Sequence, residues 1–407
     1  MELGPILSSL RRNGTGPTLI ALQIALALAV LCNALFIIEQ QTALSREPTG
    51  ITDESNVFLI SNQWVGGAED LEAHERADLA GLRALPQIAD ATLSPVQPLG
   101  GREMGMDISI HPDQPRAGMP TWVFPVDDHA LDTWGLRLIA GRNFRPEQIL
   151  VSHGFSENYK SWGGMIITRA LARALDPSGN VLGRVATLNP GGITATIVGV
   201  VDRLRPGQYA PNSPVAGYSI LVPLLWADSN VFYFVRAKPG QLAAAMAAAR
   251  EELYKISRQR TIVSMKSLAE ARLQFYRGAR GEALLMGVIC AILLGVTSFS
   301  IVGLTSYWVS QRMRQIGIRR ALGATAGSIL RYFQTENLLI AGAGSVLGIL
   351  LGLAANLWLL RSVALARLPP VYLVVGMIIV LVLGQVSVLW PALRAAALSP
   401  ANAARSA

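Results

Sequence analysis

Four long apolar runs, one near the N-terminus and three close together near the C-terminus, restrict what this chain can fold into more than any other feature. They are Thr18–Ile38, Ala283–Val309, Leu338–Leu360 and Val371–Leu389. Each approaches or exceeds the ~20 mostly apolar residues that cross a bilayer. None contains Asp, Glu, Lys, Arg or His. In hydrocarbon the backbone must satisfy its own hydrogen bonds, so a spanning run of this kind is a helix. Glu39–Glu282, between the first two runs, has ordinary soluble composition. The expected fold class is therefore a membrane protein: four transmembrane α-helices with a large α+β domain between the first and second.

The net charge of +8 raises the question of nucleic acid. Its distribution excludes that class. Glu39–Glu282 holds 24 Lys and Arg against 25 Asp and Glu. Nine arginines (11, 12, 312, 314, 319, 320, 331, 394 and 405), opposed only by Glu2 and Glu336, lie in the N-terminus, the 310–337 segment and the tail. Arginine beside span ends stays cytoplasmic. Both termini and 310–337 are thus expected inside, with the large domain and the short 361–370 loop outside. Arg11 and Arg12 resemble the charged start of a signal peptide, but the apolar run exceeds the usual ~7–15 residues, so an uncleaved anchor is expected. Cys32 and Cys290 both fall inside spans, so no disulfide holds the large domain.

The expected division is 1–17 cytoplasmic segment, 18–38 first span, 39–282 external domain, 283–309 second span, 310–337 cytoplasmic segment, 338–360 third span, 361–370 external loop, 371–389 fourth span and 390–407 cytoplasmic tail. Within 39–282, strand Asn56–Ile60 followed by an amphipathic helix at Glu69–Leu85 opens one β-α-β piece. Strand Val231–Arg236, helix Gly240–Ser257 and strand Thr261–Met265 form a second. Two such halves predict one split α+β subdomain, about 50–96 and 226–266. A β-rich insert of about 97–225 grows out of it, with strands at Thr121–Phe124, Met165–Thr168, Thr194–Val201 and Tyr218–Pro223. Asp176-Pro-Ser-Gly and Asn189-Pro-Gly-Gly supply turn chemistry between them. Residues 267–282 are expected as a helical stalk that enters the second span and pairs with the extension of the first. Gly344, Gly348 and Gly352, four apart on the third span, form a small-residue face suited to close helix packing. Gln23 and Asn33 are amides suited to bonding a neighbouring helix.

Gln311–Glu336 reads QRMRQIGIRRALGATAGSILRYFQTE. It alternates basic and apolar residues, breaks at Gly323-Ala324 and resumes as a helix from Ser328. On residue chemistry alone it is an amphipathic elbow on the cytoplasmic membrane surface. The string RMRQIGIRRALGAT, with Glu336 at the head of an apolar span, resembles the FtsX/MacB-type ABC transporter permease family, whose members read R-x-x-E-I-G-x-x-R-A-x-G-A. The C-terminal PALRAAALSPANAAR is similar to the family tail. So are DDHALDTWGLRLIAGRNF, ITRALARALDPSGNVLGRVATL and ATIVGVVDRLR to its MacB-like periplasmic core. Two positions depart: Gln315 stands where Glu is usual, and Ala404 where the tail has Leu.

The resemblance implies a permease subunit in the bacterial inner membrane. It would work by mechanotransmission, turning ATPase-driven motion in the cytoplasm into periplasmic export or extraction of a drug, peptide, lipopeptide or lipid-like substrate. It makes Arg314, Gln315, Ile316, Gly317, Ile318, Arg319, Arg320, Ala321, Leu322, Gly323, Ala324 and Glu336 the ATPase-coupling residues. No G-x-x-x-x-G-K-[ST] occurs; Gly323-Ala-Thr-Ala-Gly-Ser lacks the lysine that reaches the phosphates. ATP and Mg2+ are then expected on a separate ABC ATPase in two copies, with no cofactor in this chain and no enzyme activity of its own. The permease is expected as a homodimer or with a related permease, in contact with membrane lipids and not with nucleic acid. Whether a periplasmic adaptor and an outer-membrane channel complete the path is left open. The alternative is a non-transporting signalling or regulatory protein that controls a periplasmic partner.

Other chemistry finds little support. His74, His111, His129 and His153 all lie in the large domain, and Asp127-Asp128-His129 and His111-Pro-Asp113 lack H-E-x-x-H spacing, so no metal site is expected. Gly217-Tyr-Ser219 lacks the closing glycine of a nucleophile elbow.

Overall fold

Proline ends the first helix. In the computed structural model α1 runs unbroken over Thr15–Arg46. Pro48 lacks an N–H and pushes the residue before it out of the helical region. The model describes residues 15–65, 70–98, 104–110, 118–152, 160–205, 214–311, 318, 325–363 and 367–397. After α1 come β1 (Val57–Trp64), α2 (Leu71–Ala84), β2 (Ile88–Ser94), β3 (Gly105–Ser109), β4 (Met119–Val126), α3 (Ala130–Trp134), β5 (Leu138–Gly141) and β6 (Leu150–Ser152). Then follow β7 (Ser161–Thr168), α4 (Arg169–Leu175), β8 (Val185–Asn189), β9 (Ile193–Val201), β10 (Ser219–Trp226), β11 (Asn230–Ala237), α5 (Leu242–Ile256) and β12 (Arg260–Ser267). The chain continues with α6 (Leu268–Phe275), α7 (Arg277–Gln311), α8 (Ala326–Val363) and α9 (Pro370–Ala397). It divides into two units, Met1–Thr42 with Ala279–Ala407, and Ala43–Gly278.

Among the described residues the first unit holds four helices long and apolar enough to cross a membrane. The seam between α1 and α8 is built from small residues on both sides. A Cβ added to Gly344 would lie 2.7 Å from Ala21 O, and one on Gly348 2.8 Å from Ala25 O. Gly352 faces Ala29. Asn33 Nδ2 closes the seam, donating to Ala29 O at 2.9 Å and across to Gly352 O at 3.1 Å. Such pairs tie helices together where no water competes. Gly376 of α9 abuts Cys32 of α1. Beyond the apolar stretches, Gln41 Nε2 donates to Glu282 Oε2 at 3.3 Å, linking α1 and α7. Both α8 and α9 outrun their apolar runs, and α9 continues through Pro391 to Ala397.

In the second unit, β12-β1-β11-β2 form one antiparallel sheet. Each strand–helix–strand piece leaves room for a strand of the other, which gives the ferredoxin-like split β-α-β arrangement. Phe58, Ile60 and Tyr233 on one face pack under Leu79 and Leu82 of α2 and Ala245, Ala249 and Leu253 of α5. The alternation of β1 sends Leu59 to the other face, into the larger core with Phe234 and Trp134.

The insert between β2 and β11 is a second sheet of eight strands. Pairings β4-β3-β8-β9-β7-β10 return through a parallel β10–β4 pair, so six strands close on themselves. Closure leaves no free edge among them. Ile108, Val123, Ile166, Ile197 and Leu221 from this ring share one buried cluster. One element departs from expectation. The stalk helix is not continuous into the second span: Tyr276, buried and edge-on to Phe275, separates α6 from α7.

Candidate functional site

The segment that carries the family resemblance is described only in part. Arg314, Gln315, Ile316, Gly317, Arg319, Arg320, Ala321, Leu322, Gly323 and Ala324 lie outside the described residues. Ile318 is described and is 55% exposed. The helix restarts at Ala326, with Ser328 N bonded to Thr325 O at 3.0 Å. Glu336 is buried in α8 and is engaged by a neighbour. Gly344, Gly348 and Gly352 lie on the α1 seam described above.

A second site was invisible to sequence reasoning. The linker from α1 to β1, Ser45–Asn56, is held from three sides. Arg272, on α6, reaches the end of α1: its Nη2 donates to Ser45 O at 3.2 Å and to Glu47 O, while Nη1 donates to Glu54 Oε1 at 2.8 Å. A guanidinium is well placed at a helix C-terminus, where unpaired carbonyls concentrate negative charge. Thr49 Oγ1 also donates to Glu54 Oε1, at 2.6 Å. The Glu47 side chain turns the other way, to Arg205 Nη1 at 2.7 Å. Arg205 follows β9, and its N–H donates to Thr49 O at 2.9 Å. Its Nε donates to Ala216 O at 3.3 Å.

Gly50 fits this path because it has φ +99° and because an added Cβ would fall 2.1 Å from Arg203 O. Further along, Thr52 N donates to Trp134 O, and Arg236 donates to Thr52 O and Thr133 O. These donors and acceptors are consumed by one another. The arrangement holds chain segments together.

A third cluster lies under α2. Arg260 makes a bidentate pair with Asp78, Nη1 to Oδ2 at 2.6 Å and Nη2 to Oδ1 at 2.8 Å, both side chains fully buried. Tyr233 OH donates to the same carboxylate at 2.6 Å. Trp64 lies 4.2 Å from the guanidinium and stacks on His74. Burial pushes the Asp78 carboxyl up while Arg260 pulls it down. Glu75, one turn away, has no such cation. Asp228 N donates to it at 3.3 Å, and burial pushes its carboxyl up to about 9, with Asp78 adding to the rise.

Of the candidate metal ligands, Asp127 and His129 are engaged within the large domain, and Asp113 lies outside the described residues. Asp127 accepts from Arg83 and from Thr92 Oγ1, and His129 Nδ1 lies 2.8 Å from Asp90. Among the described residues no group of three His, Cys, Asp or Glu side chains converges. His111 and His153 lie outside the described residues.

Comparison with known proteins matches residues 287–400 to the FtsX-like permease C-terminal family, which takes in most of the second span and the whole of the third and fourth. The chain is 26% identical over 295 residues to the uncharacterized ABC transporter permease YvrN of Bacillus subtilis (strain 168), covering 70% of this chain and 69% of that protein. It is 34% identical over 125 residues to the macrolide export ATP-binding/permease protein MacB of Nitrobacter winogradskyi, covering 30% of this chain and 19% of the relative. It is 35% identical over 138 residues to the pyoverdine export ATP-binding/permease protein PvdT of Pseudomonas syringae pv. tomato, covering 34% and 20%. The chain thus spans about a fifth of the length of those two export proteins. Among solved structures, the periplasmic region of MacB from Actinobacillus actinomycetemcomitans aligns with TM-score 0.34 at 11% identity over 57% of this chain and 97% of its own. The extracellular domain of YknZ from Gram-positive bacteria aligns with TM-score 0.32 at 15% identity over 51% and 100%. With residues 287–400 matching that family and relatives named as an ABC transporter permease and MacB, this chain carries an FtsX-like permease domain.

Proposed function

We propose that this chain is the permease subunit of an ABC transporter in the bacterial inner membrane, and that it converts ATPase-driven motion in the cytoplasm into export or extraction of a substrate outside it. The observation that carries the reading is the FtsX-like match over 287–400, which includes the basic segment between α7 and α8. The layout supports mechanical rather than conductive work: none of the four apolar runs carries a charged residue that would mark a polar conduit. The relatives named for macrolide and pyoverdine export support cargo within the drug, peptide, lipopeptide and lipid-like range. ATP and Mg2+ reside on two copies of a separate ABC ATPase, and the permease acts as a dimer, with itself or a related chain.

Coupling rests on the segment that includes Ile318, which presents an exposed aliphatic side chain. The test is to co-express the chain with candidate ABC ATPase subunits from the same genome, select one that co-purifies, and compare Ile318→Asp with the unsubstituted protein. A charge at that contact is expected to drop ATP turnover in the complex to that of the ATPase alone, or to abolish co-purification. Unchanged co-purification together with unchanged turnover sinks the coupling role.

A further inference from the structure

We infer that the Ser45–Glu54 linker, gripped by Arg272 and Arg205, is the junction at which movement of the first span is divided between the two halves of the large domain. Arg272 and Arg205 act as positioning residues for that movement. The inference rests on the export reading above and names the residues through which it works.

Four observations converge. First, α1 is one unbroken helix to Arg46, and Ser45 lies in its last turn. Second, Arg272 holds the helix end and the far end of the linker at once, through Ser45 O, Glu47 O and Glu54. Arg272 sits on α6, immediately before the helix that contains the second span. One guanidinium therefore ties the last turn of α1 to α6 and to the far end of the linker.

Third, Glu47 is shared. Its carbonyl belongs to Arg272, on the ferredoxin-like side, and its carboxylate to Arg205, which follows β9 of the closed ring. The Arg205 N–H to Thr49 O bond and the Gly50 fit against Arg203 fix the same linker to the ring by its backbone. Fourth, the linker is anchored at its middle: Thr49 and Ile51 are both under 9% exposed, while Arg46, Pro48, Thr52 and Asp53 on either side are exposed. Ion pairs on an open surface contribute little. Here the Arg272 and Glu54 side chains are only 20% and 16% exposed, and each arginine makes several bonds in fixed directions.

The experiment uses the full chain with its ATPase in lipid nanodiscs, spin-labelled at Asn180→Cys in an exposed turn of the insert and at Ser328→Cys on α8. The distance distribution is read without nucleotide and after vanadate trapping with ATP. The unsubstituted chain is expected to shift between the two states. In Arg272→Met and in Arg205→Glu, ATP turnover is expected to persist while the shift is lost. Glu47→Arg combined with Arg205→Glu is expected to restore it, which a general loss of folding would not allow. A full-sized shift in both single variants overturns the inference and leaves the export reading standing. No shift in the unsubstituted chain overturns the export reading, and the inference with it. Should Arg272→Met fail to fold, the Arg205→Glu variant and its charge-swapped partner decide the matter alone.

Discussion

At the scale of single residues, the buried cluster under α2 shows how charge balance sets behaviour. Two buried carboxyls, Asp78 and Glu75, lie one turn apart on α2, and Arg260 bonds Asp78. Glu75 is left with a single backbone donor and is therefore protonated near neutrality, its carboxyl pushed up to about 9 by burial. In the unfolded chain the same group ionises near its ordinary value of 4.5. Between those limits the folded state binds the extra proton, so stability falls as pH rises, by up to ~1.4 kcal/mol per pH unit. Glu75→Gln keeps the acceptor for Asp228 N and removes the proton. Melting of the purified chain, followed by tryptophan fluorescence near pH 6 and near pH 9, is expected to show the variant gaining on the parent at the higher pH. An equal difference at both values removes the argument.

Among elements, helices were more legible than strands, for physical reasons. A span is decided by composition over ~20 residues, and all four apolar runs lie inside helices. Gly344, Gly348 and Gly352 announced a packing face by their spacing alone. Their partner could not be read, because Ala21, Ala25 and Ala29 are unremarkable in an alanine-rich helix. Short strands such as β3, β5 and β6 carry too few alternating residues to stand out, and what defines them is pairing. β10, for instance, pairs in parallel with β4, about a hundred residues earlier in the chain. The two β-α-β pieces were legible because each has a long amphipathic helix. The linker clasp was not, since Arg272 and Glu47 are 225 residues apart.

The seam itself makes a prediction about elements. Replacing Gly348 by Leu drives a side chain into the α1 backbone, where even a Cβ would sit 2.8 Å from Ala25 O. The cost should exceed the ~1–3 kcal/mol of ordinary overpacking, because a helix backbone cannot step aside as a side chain does. Gly342→Leu, on the same helix but with nothing within 4 Å of an added Cβ, is expected to be near neutral. Yield of monodisperse protein in detergent separates the two. Equal yields show that α1 and α8 do not meet along this ridge.

For the whole molecule, the arginine distribution makes a prediction about sidedness. The cluster at both termini and in 310–337 should keep those parts in the cytoplasm, which puts the large domain outside. Two single-cysteine reporters test it. Asn180 is exposed in the turn that follows α4, and Ser328 is exposed on the first turn of α8. The native Cys32 and Cys290 are buried and contribute little background. In intact cells with a permeable outer envelope, a membrane-impermeant maleimide is expected to label Asn180→Cys at once and Ser328→Cys only after lysis. This bears on mechanism as well as address. With both reporters on one side, the 310–337 segment and the linker clasp could not lie at opposite ends of the spans. Motion from a cytoplasmic ATPase would then have no path through Arg272 and Arg205 to the large domain. The reversed pattern would put the basic segment outside and leave the ATPase without its contact.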